Sequence, residues 1–515
     1  MPRLPWPARS RRVGELQRRV TRLNKSLPHE TIVDAVRLAV SEVSGLPATG
    51  IASDATLAEL GFDSLTLASL GGELNDRLGL RLPADVLVGS ASIDALAGAV
   101  ASTLAAKPQI RNTPNSLPDG DFPEFQSLDR RLARMAEAGI VNPFHVSLVP
   151  LPGGRATVGN DVCLNFSSYD YLGLAHDPTV IAAAHEALDR FGTSASASRV
   201  AGGERSVHHK LETEIASFLG TEEALVFASG YGTGVSVVGH LLSSTDLILH
   251  DESIHNSLML GSRLSGAARL SFAHNDAASA LRLLEARRTD HARALLIIEG
   301  IYSADGDIPS LPDFAELRRK YRALLMVDEA HSVGVLGRTG RGVGEHFGVP
   351  PEEVDIWMGT LSKSLAGSGG YIAGRSDLIG YLRNTCPGYV FSAGLPPVIA
   401  ASALAALRVL RAEPERVRKL QSLAALFRTA LRAQGVHPLG NDGVPVVPLP
   451  AGSAQDAFRW SHKLRRDRIL VHPLVPPAVP EGSSRLRFFI SCDHSEEDLR
   501  RTAVAIGQTS PTGRR

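Results

Sequence analysis

An acid and a lysine stand at the ends of two short apolar runs in the middle of the chain. Asp328 ends the first run, and His331 follows it three residues later. Lys363 follows the second run together with two hydroxyl residues, Thr360 and Ser362. A lysine amine can form a Schiff base with an aldehyde, a carboxylate can pair with a protonated ring nitrogen, and hydroxyls can hold a phosphate. The combination predicts a site for pyridoxal phosphate (PLP).

The letters DEAH that begin at Asp328 also occur in helicases, where the acid helps to hold magnesium. Those proteins need a phosphate-binding loop of the form GxxxxGK[ST], and the sequence contains neither GKS nor GKT. The structural alternative for Lys363 is a buried ion pair, because buried lysines are rare unless they are paired or functional. The small residues around Lys363 in the sequence supply no carboxylate, so we expect a functional lysine.

Length and composition limit the number of domains, whereas the net charge says little about binding partners. At 515 residues the chain has room for two or three domains, and its 54 basic and 54 acidic residues cancel. Residues 1–25 carry eight Arg or Lys and one Glu, whereas residues 28–106 carry three Arg and ten Asp or Glu. We expect a basic N-terminal segment over 1–27, whose simplest role is a solvated helix, and no nucleic-acid partner.

The cysteines and the hydropathy indicate the compartment. Cys163, Cys386 and Cys492 are widely spaced and form no CxxC motif, which fits a reducing compartment and argues against a disulfide framework or a zinc site. No run of 18 apolar residues occurs, and the basic N-terminus lacks the apolar core of a secretory signal. We expect a cytoplasmic protein with no membrane span and no metal.

The residues that could do chemistry need a scaffold, and the pattern from residue 123 onward predicts one. Short apolar runs alternate with helical patterns, as in parallel βαβ units with helices on both faces. Glu299, Asp328 and Lys363 lie at or just past the ends of such runs, where parallel sheets bind ligands. After about residue 396, longer helices with a few short strands predict a smaller α+β domain that closes over the site. The predicted strands are 224–228, 246–250, 294–299, 323–328, 356–359, 370–373, 446–447, 469–471 and 486–490.

An acidic module precedes this scaffold. Apolar residues at helical spacing over 32–43, 67–78 and 93–104 predict a three-helix bundle within residues 28–106. Residues 107–122 are rich in Pro, Asn, Asp and Gly, and this composition predicts a linker between domains.

The acidic module contains Ser64 in the sequence GFDSL. The simplest interpretation of an Asp-Ser pair at this position is a helix cap. The whole segment, however, resembles acyl or peptidyl carrier proteins, which carry 4′-phosphopantetheine on the serine of this motif. The resemblance implies phosphopantetheine on Ser64, and a phosphopantetheinyl transferase and acyl-loading enzymes as partners. A tethered arm of this kind raises the local concentration of its thioester at a distant active site.

Two further segments follow predicted strands. Ser229, Gly230 and Tyr231 stand between a strand and a helical stretch, where free backbone amides can bind a phosphate. An ordinary glycine-rich turn has the same composition. His255 stands just past the next strand on the same edge of the sheet, where its ring could stack on a cofactor.

Eight blocks occur in order between residues 165 and 491: NFSSYDYLGL, GTSASASRVAGG, HHKLE, EGIYSADGDIPSL, DEAHSVGVLGRTGRG, TLSKSLAG, YVFSAGLPP and RLRFFIS. Together they make residues from about 123 to 507 resemble the α-oxoamine synthases, a family of PLP enzymes. The resemblance implies a PLP-dependent transferase of fold type I with a mainly parallel α/β large domain over 123–395. It also implies an N-terminal arm over 123–165 and an α+β small domain over 396–515.

The resemblance implies a role for each matching residue. Lys363 would hold PLP as a Schiff base, Asp328 would keep the ring nitrogen protonated, and His331 would hydrogen-bond the phenolic oxygen. His255 would stack on the ring, and Arg487 would grip the carboxylate of an amino acid.

The remaining matches would surround the same cofactor. One of them, Ser392, would reach the phosphate from the second subunit of a homodimer. The others would bind the phosphate or line the pocket: Ser229, Gly230, Tyr231, Ser303, Thr360 and Ser362.

The implied reaction is a decarboxylative condensation. An amino acid attacks an acyl thioester through its α-carbon, a thiol leaves, carbon dioxide is lost and an α-amino ketone forms. The acyl group would arrive on Ser64-bound phosphopantetheine or as free acyl-CoA. Two alternatives stay open, namely an aminotransferase that acts on a carrier-bound carbonyl and a PLP-free scaffold that serves the carrier.

Two departures from the family pattern bear on the substrate. Residues 475–478 read VPPA where 8-amino-7-oxononanoate synthases have Arg-Pro-Pro-Thr, which speaks against a pimeloyl-type substrate. Tyr169 stands where many members have Asn, as in some serine palmitoyltransferase-like sequences. Neither departure touches the residues expected to bind PLP.

Overall fold

The computed structural model describes most of the chain from residue 29 onward. The described residues are 29–44, 46–57, 59–60, 62, 67, 70–71, 73–74, 92–105, 123–137, 139, 142–476 and 478–511. Ser64 and most of the predicted second helix of the acidic module lie outside them. The chain divides into two compact units, one at the N-terminus and a larger one that contains most residues from 123 onward.

The N-terminal unit contains two described helices, α1 (His29–Ser44) and α2 (Ile93–Ala105). Val36 and Val40 of α1 and Val100 of α2 are fully buried. Because the apolar positions recur every three or four residues, each helix buries one face. The sequence pattern predicted both helices within two or three residues at each end.

The strands described from residue 149 onward are short. In chain order they are β1 (Val149–Leu151), β2 (Arg155–Val158), β3 (Asp161–Asn165), β4 (Glu223–Phe227), β5 (Leu247–Asp251), β6 (Ala268–Phe272), β7 (Ala294–Glu299), β8 (Leu324–Asp328), β9 (Ile356–Thr360), β10 (Gly370–Gly374), β11 (Val446–Gly452), β12 (Ile469–Leu470), β13 (Pro473–Leu474) and β14 (Ser484–Phe489).

Helices separate most of these strands, and among the described helices none is long and apolar enough to cross a membrane. In chain order they are α3 (Pro123–Glu137), α4 (Pro178–Phe191), α5 (Ser206–Leu219), α6 (Gly230–Leu241), α7 (Asn256–Leu264), α8 (Ala277–Arg287), α9 (Leu311–Tyr321), α10 (Val343–Phe347), α11 (Ser376–Thr385), α12 (Pro387–Val390), α13 (Pro397–Ala412), α14 (Glu415–Ala433), α15 (Ala454–Arg466) and α16 (Glu496–Thr509).

A seven-stranded sheet has the order β4-β10-β9-β8-β7-β5-β6. Strands β5, β7, β8 and β9 are parallel neighbours, as the sequence predicted. Strand β10 is antiparallel to both β9 and β4, whereas the predicted pattern was parallel. The segment from Leu361 to Gly369 is too short for a crossover helix, so the chain turns back on itself. The fold is a mainly parallel α/β fold with one reversed strand.

The parallel strands bring their carboxyl ends to one edge of the sheet. Every residue of β5 and of β7 is buried, which is typical of a sheet with helices on both faces. Glu299 at the end of β7 pairs in register with Asp328 at the end of β8. This edge is where open α/β sheets bind ligands.

Two smaller sheets flank the main one, with the orders β1-β2-β3-β12 and β11-β14-β13. The α+β arrangement of the C-terminal region is confirmed. The sequence did not predict β1 to β3, because β1 and β2 are short and partly exposed and β3 is completed by β12 from far along the chain. The boundaries of the predicted domains stay predictions.

Arg428 ties α14 to the strand β11 inside the C-terminal region. The side chain is fully buried, and its guanidinium donates to the carbonyl of Leu439 at 2.5 Å and to that of Val446 at 2.7 Å. Burial lowers the pKa of Arg428 to about 10, although the charge of Asp442 opposes the shift. The arginine therefore serves as a buried donor for backbone carbonyls.

Arg428→Met is expected to lower the free energy of unfolding by about 3 kcal/mol, because it leaves buried carbonyl oxygens without a donor. The matched control is Arg432→Met on the same helix, whose ion pair with Asp442 is exposed and contributes little. Urea denaturation of the PLP-free protein measures both variants. Equal stability of the two variants would contradict the role given to Arg428.

Candidate active site

Lys363 lies in the loop after β9, and its amine is enclosed by protein. Burial lowers the pKa of the amine to about 8, the negative charges of Asp328 and Glu299 oppose this shift, and Arg487 adds to it. Among the described residues, none offers the amine a carboxylate within the 4.0 Å of an ion pair. The residues next to Lys363 in the sequence supply no carboxylate, but neighbouring strand ends bring Asp328 and Glu299 within electrostatic reach of the amine.

Two carboxyl groups stand side by side at these strand ends. Asp328 is 4% exposed and Glu299 is 3% exposed. Burial raises the pKa of Glu299 well above its usual range, and the charge of Asp328 raises it further. Asp328 Oδ1 accepts the N–H of Ala330 at 2.9 Å, and the described residues give its side chain no second hydrogen bond. A carboxylate with a free oxygen in a buried site fits the protonated ring nitrogen of PLP.

His331 is buried next to the same group of residues. Its Nδ1 lies 2.7 Å from the hydroxyl of Tyr171, and its ring stacks on Phe489 with 6.4 Å between centroids. Burial lowers the pKa of His331 well below its usual range, and the positive charges of Lys363 and Arg487 add to the shift. When the tyrosine hydroxyl donates to Nδ1, the other ring nitrogen carries the proton and is available as a donor.

His255 stands directly before α7 and is fixed by its own turn. Its Nδ1 lies 2.8 Å from Ser257 Oγ. Burial lowers the pKa of His255, and the charge of Asp328 only partly opposes the shift. The edge of the Tyr231 ring meets the imidazole with 6.2 Å between centroids, and the Tyr231 hydroxyl donates to Asn256 Oδ1 at 2.8 Å. The result is a neutral, flat ring held in place at the sheet edge.

The first turn of α6 lies next to two hydroxyl residues, one at the end of β9 and one in the loop that follows it. Ser229 caps the helix, because its Oγ accepts the N–H of Gly232 at 3.0 Å. Thr360 Oγ1 and Ser362 Oγ lie 2.8 Å apart. A Cβ on Gly230 would lie 2.8 Å from Thr360 Oγ1, so the helix start and the hydroxyls are in close contact. A helix N-terminus beside two hydroxyls is suited to the phosphate of PLP.

Arg487 reaches the site from β14 and is held at three places. Its Nη1 donates to the carbonyl of Ser303 at 2.7 Å, and its Nη2 lies 3.4 Å from the hydroxyl of Tyr169. The guanidinium also lies over the ring of Phe489, 4.8 Å from its centroid. The Tyr169 ring is in turn 5.7 Å from the amine of Lys363. A forked cation therefore stands close to the lysine.

One predicted site residue within the described part of the chain, Ser392, does not lie at this edge. Ser392 is exposed, and in the described part of the chain its hydroxyl has one hydrogen bond, to the carbonyl of Ala393 at 3.3 Å. Its predicted role depends on a second subunit and stays a prediction. Ser64 lies outside the described residues.

Two aromatic residues at the site were not predicted from the sequence. Tyr171 holds His331, and Phe489 packs against both His331 and Arg487. Tyr171 lies outside the strands, and Phe489 is the last residue of β14. Their signal was local, since each stands within a few residues of a conspicuous position in the blocks NFSSYDYLGL and RLRFFIS.

Comparisons with known proteins assign two segments of the chain to families. Residues 161–506 match the family Aminotransferase class I and II, and residues 34–100 match the family Phosphopantetheine attachment site. The first match spans all the residues of the sheet edge described above. The two families imply PLP and covalently bound phosphopantetheine as cofactors.

Individual relatives narrow the assignment. The chain is 39% identical to 8-amino-7-oxononanoate synthase of Geobacter metallireducens over 384 residues, which are 74% of this chain and 94% of that protein. It is 40% identical to the enzyme of the same name from Cellvibrio japonicus over 347 residues, which are 67% of this chain and 86% of that protein.

Solved structures show the same likeness. Serine palmitoyltransferase of Sphingomonas wittichii matches with a TM-score of 0.71 and 29% identity, over 75% of this chain and 97% of that chain. 8-Amino-7-oxononanoate synthase of Francisella tularensis matches with a TM-score of 0.58 and 25% identity, over 67% of this chain and 96% of that chain. The chain therefore belongs to the class I and II aminotransferase family, within which it groups with the α-oxoamine synthases, and it carries an N-terminal phosphopantetheine attachment domain.

Proposed function

We propose that the chain joins an amino acid to an acyl thioester carried on its own N-terminal domain, with loss of carbon dioxide, to make an α-amino ketone. The observation that carries the proposal is the convergence of Lys363, Asp328, His255, His331 and Arg487 at one sheet edge, in a chain that also contains a carrier segment. The names of the relatives describe synthases and acyl transferases, which supports this reaction class.

The proposed reaction balances as follows. A bond forms between the α-carbon of the amino acid and the acyl carbon, and the carbon–sulfur bond breaks to release the thiol of the carrier. The bond from the α-carbon to the carboxylate then breaks to release carbon dioxide. The α-proton leaves early and a proton returns to the α-carbon at the end, and the thiolate takes up one further proton from solvent.

PLP, when bound, supplies an electron-withdrawing ring that stabilises negative charge on the α-carbon. Lys363 would hold the cofactor covalently, and its amine, once free, would move the proton at the α-carbon of the amino acid. An amine with a pKa of about 8 suits this work, because near neutral pH it both accepts and returns a proton readily. Asp328 would keep the ring nitrogen protonated through its free oxygen.

The two histidines position the cofactor without carrying charge. His331 would donate to the phenolic oxygen through the nitrogen that Tyr171 leaves free, and His255 would pack on the ring face. Ser229, Gly230 and the hydroxyls of Thr360 and Ser362 would hold the phosphate. Tyr231 packs against the ring of His255. Ser303 would line the pocket, and its carbonyl accepts a hydrogen bond from Arg487.

Arg487 binds the carboxylate of the amino acid. Its guanidinium offers a fork of N–H donors that matches a carboxylate in geometry. The contact with the Tyr169 hydroxyl, at 3.4 Å, is long enough to give way to a stronger charged acceptor. Amino-acid binding would therefore exchange a neutral contact for an ion pair at the site.

The acyl group arrives on phosphopantetheine attached to Ser64, after a phosphopantetheinyl transferase and an acyl-loading enzyme have acted. Tethering presents the thioester at an effective concentration on the order of millimolar. We propose a homodimer in which Ser392 reaches the phosphate of the partner's cofactor. The sequence VPPA at 475–478 supports an acyl group other than pimeloyl.

Lys363→Ala is expected to abolish covalent attachment of PLP, because no other amine stands at this edge in the described part of the chain. The visible absorption band that borohydride removes should be absent from the variant. The matched control is Lys320→Ala on α9, which should keep the band, since Lys320 packs on Tyr321 at 5.2 Å and not at the site. A band of normal intensity in Lys363→Ala would refute the assignment.

The rate at which PLP-free protein captures PLP should rise with pH and level off above about pH 8. The pKa of Lys363 is lowered to about 8, so the neutral, nucleophilic amine predominates above that pH. Stopped-flow absorbance measures the rate between about pH 6.5 and about pH 10, an interval that includes the lowered pKa. A rate that still rises tenfold per unit near pH 9.5 would indicate a lysine with an ordinary pKa of roughly 10.4.

Gly230→Ala is expected to weaken PLP binding by roughly tenfold or more, because its Cβ would crowd Thr360 Oγ1 at 2.8 Å and the Gly369 carbonyl at 3.2 Å. Gly380→Ala on α11 is the control, since nothing lies within 4 Å of its Cβ position. Fluorescence titration of PLP-free protein gives the dissociation constants. Equal affinities for the two variants would place the phosphate elsewhere.

Ser64→Ala is expected to lower carbon dioxide release from a carrier-loaded acyl group by about 100-fold or more, because the thioester has no attachment point. PLP absorption should be unchanged. The control is Ser102→Ala on α2, an exposed serine whose hydroxyl bonds only within its helix. The assay uses holo protein loaded with an acyl group and supplied with each common amino acid in turn.

Two results would contradict the proposal. If free acyl-CoA supports equal turnover by Ser64→Ala and the unmodified chain, delivery by the carrier is wrong. If an amino acid is consumed without carbon dioxide release and an amine appears on the carrier, the enzyme is an aminotransferase.

A further inference from the structure

A second cluster of ionisable residues lies beside the site and has no role in the reaction described above. We call Asp251, His274, Tyr302 and Asp307 the His274 cluster. His274 Nδ1 lies 2.9 Å from Asp251 Oδ1, and His274 Nε2 lies 3.2 Å from Asp307 Oδ2. The ring of Tyr302 meets the imidazole edge-on with 4.5 Å between centroids. One imidazole thus stands between two carboxylates.

Asp251 fixes the turn that carries His255. It ends β5, is fully buried, and accepts the N–H of Ser253 at 2.8 Å. Its other oxygen accepts the Tyr302 hydroxyl at 2.8 Å and the N–H of Asn275 at 2.7 Å. The carboxylate therefore joins the turn after β5, the loop after β6 and the turn after β7.

Asp307 closes the turn after β7, which holds Arg487. Its carbonyl accepts the N–H of Tyr302 at 3.0 Å, and its Oδ2 accepts from Asn275 Nδ2 at 2.8 Å. The carbonyl of Ser303, inside this turn, accepts from Arg487 at 2.7 Å. Any movement of the turn would therefore move the acceptor that positions Arg487.

His274 is the cation that compensates these two carboxylates. Among the described residues, neither Asp251 nor Asp307 forms an ion pair with a lysine or an arginine. Burial lowers the pKa of His274, but hydrogen bonds and charges of Asp251 and Asp307 outweigh it and raise the pKa to about 10. Glu252 faces the same loop through the backbone N–H of His274 at 3.0 Å. Without a charge on His274, buried negative charge would be left unpaired.

We propose that His274 is a positioning residue for amino-acid binding: its imidazolium locks the turn that carries His255 to the turn that holds Arg487. It touches neither cofactor nor substrate and acts through those two residues. This inference shares one assumption with the proposed function, namely that Arg487 binds the carboxylate of the amino acid.

The test measures amino-acid affinity alone, by the change in the visible absorption of PLP-loaded protein. The common amino acids are titrated one by one without acyl thioester, and the tightest binder is kept for the variants. Because neither the carrier nor carbon dioxide enters this assay, failure of acyl delivery would leave its result unchanged. If no amino acid changes the spectrum of the unmodified protein, the proposed function fails, and with it the binding step that His274 is said to support.

His274→Gln keeps a hydrogen-bond donor but removes the charge, and it should weaken amino-acid binding by roughly tenfold. His274→Gln/Asp307→Asn removes one carboxylate as well and should return the affinity to within about threefold of the unmodified chain. The control is His240→Gln, a partly exposed histidine that bonds Thr385 at 2.9 Å on the far end of α6. A purely steric role for His274 would not be rescued by the second substitution.

Three results would overturn the proposal. Affinity in His274→Gln within twofold of the control would show that the charge is unnecessary. An equal loss in the single and double variants would show that compensation of charge is not its role. If the single variant does not fold, a soluble double variant with restored affinity supports the proposal, and an insoluble double variant contradicts it.

Discussion

The site depends on a lysine amine that is enclosed by protein yet has no ion-pair partner in the described part of the chain. A carboxylate in contact with Lys363 would hold its proton, whereas complete removal from negative charge would leave a buried cation uncompensated. Asp328 and Glu299 avoid both outcomes, because they raise the pKa of the amine through their charge without forming an ion pair with it. Burial and the charge of Asp328 raise the pKa of Glu299 well above its usual range, so the two neighbouring carboxyl groups are not equivalent.

The reversed strand β10 makes this arrangement compact. The loop from Leu361 to Gly369 turns back at once, and a Cβ on Gly370 would lie 2.7 Å from the Cα of Gly230. The glycines let the start of α6 approach the strand that follows the lysine loop. Lys363 and Ser362 of this short loop, and Thr360 at the end of β9, therefore lie near the N-terminus of α6.

The sequence predicted those strands and helices whose residues alone show a regular apolar pattern. The strand Ala294–Glu299 was predicted to the residue, because a fully buried parallel strand is a continuous apolar run. Strand β3 was missed, since it is completed by β12 some three hundred residues later. Lys363 and Asp328 were predicted from type and spacing, and Tyr171 lies in a sequence block that already drew attention. The cluster around His274 depends on contacts between loops that no local signal marks. The predicted role of Ser392 depends on a second subunit and stays a prediction.

The central claim is that an acyl group on the chain's own carrier becomes part of an α-amino ketone while the amino acid loses its carboxylate. Intact-protein mass spectrometry during a single turnover, with the amino acid labelled with ¹³C at the carboxyl group, tests this most directly. The claim predicts that the acyl mass leaves the carrier, that the carrier returns to its free thiol, and that all label appears as carbon dioxide and none in the ketone. Label retained in a product, or an acyl group that stays on the carrier while product forms, would contradict it.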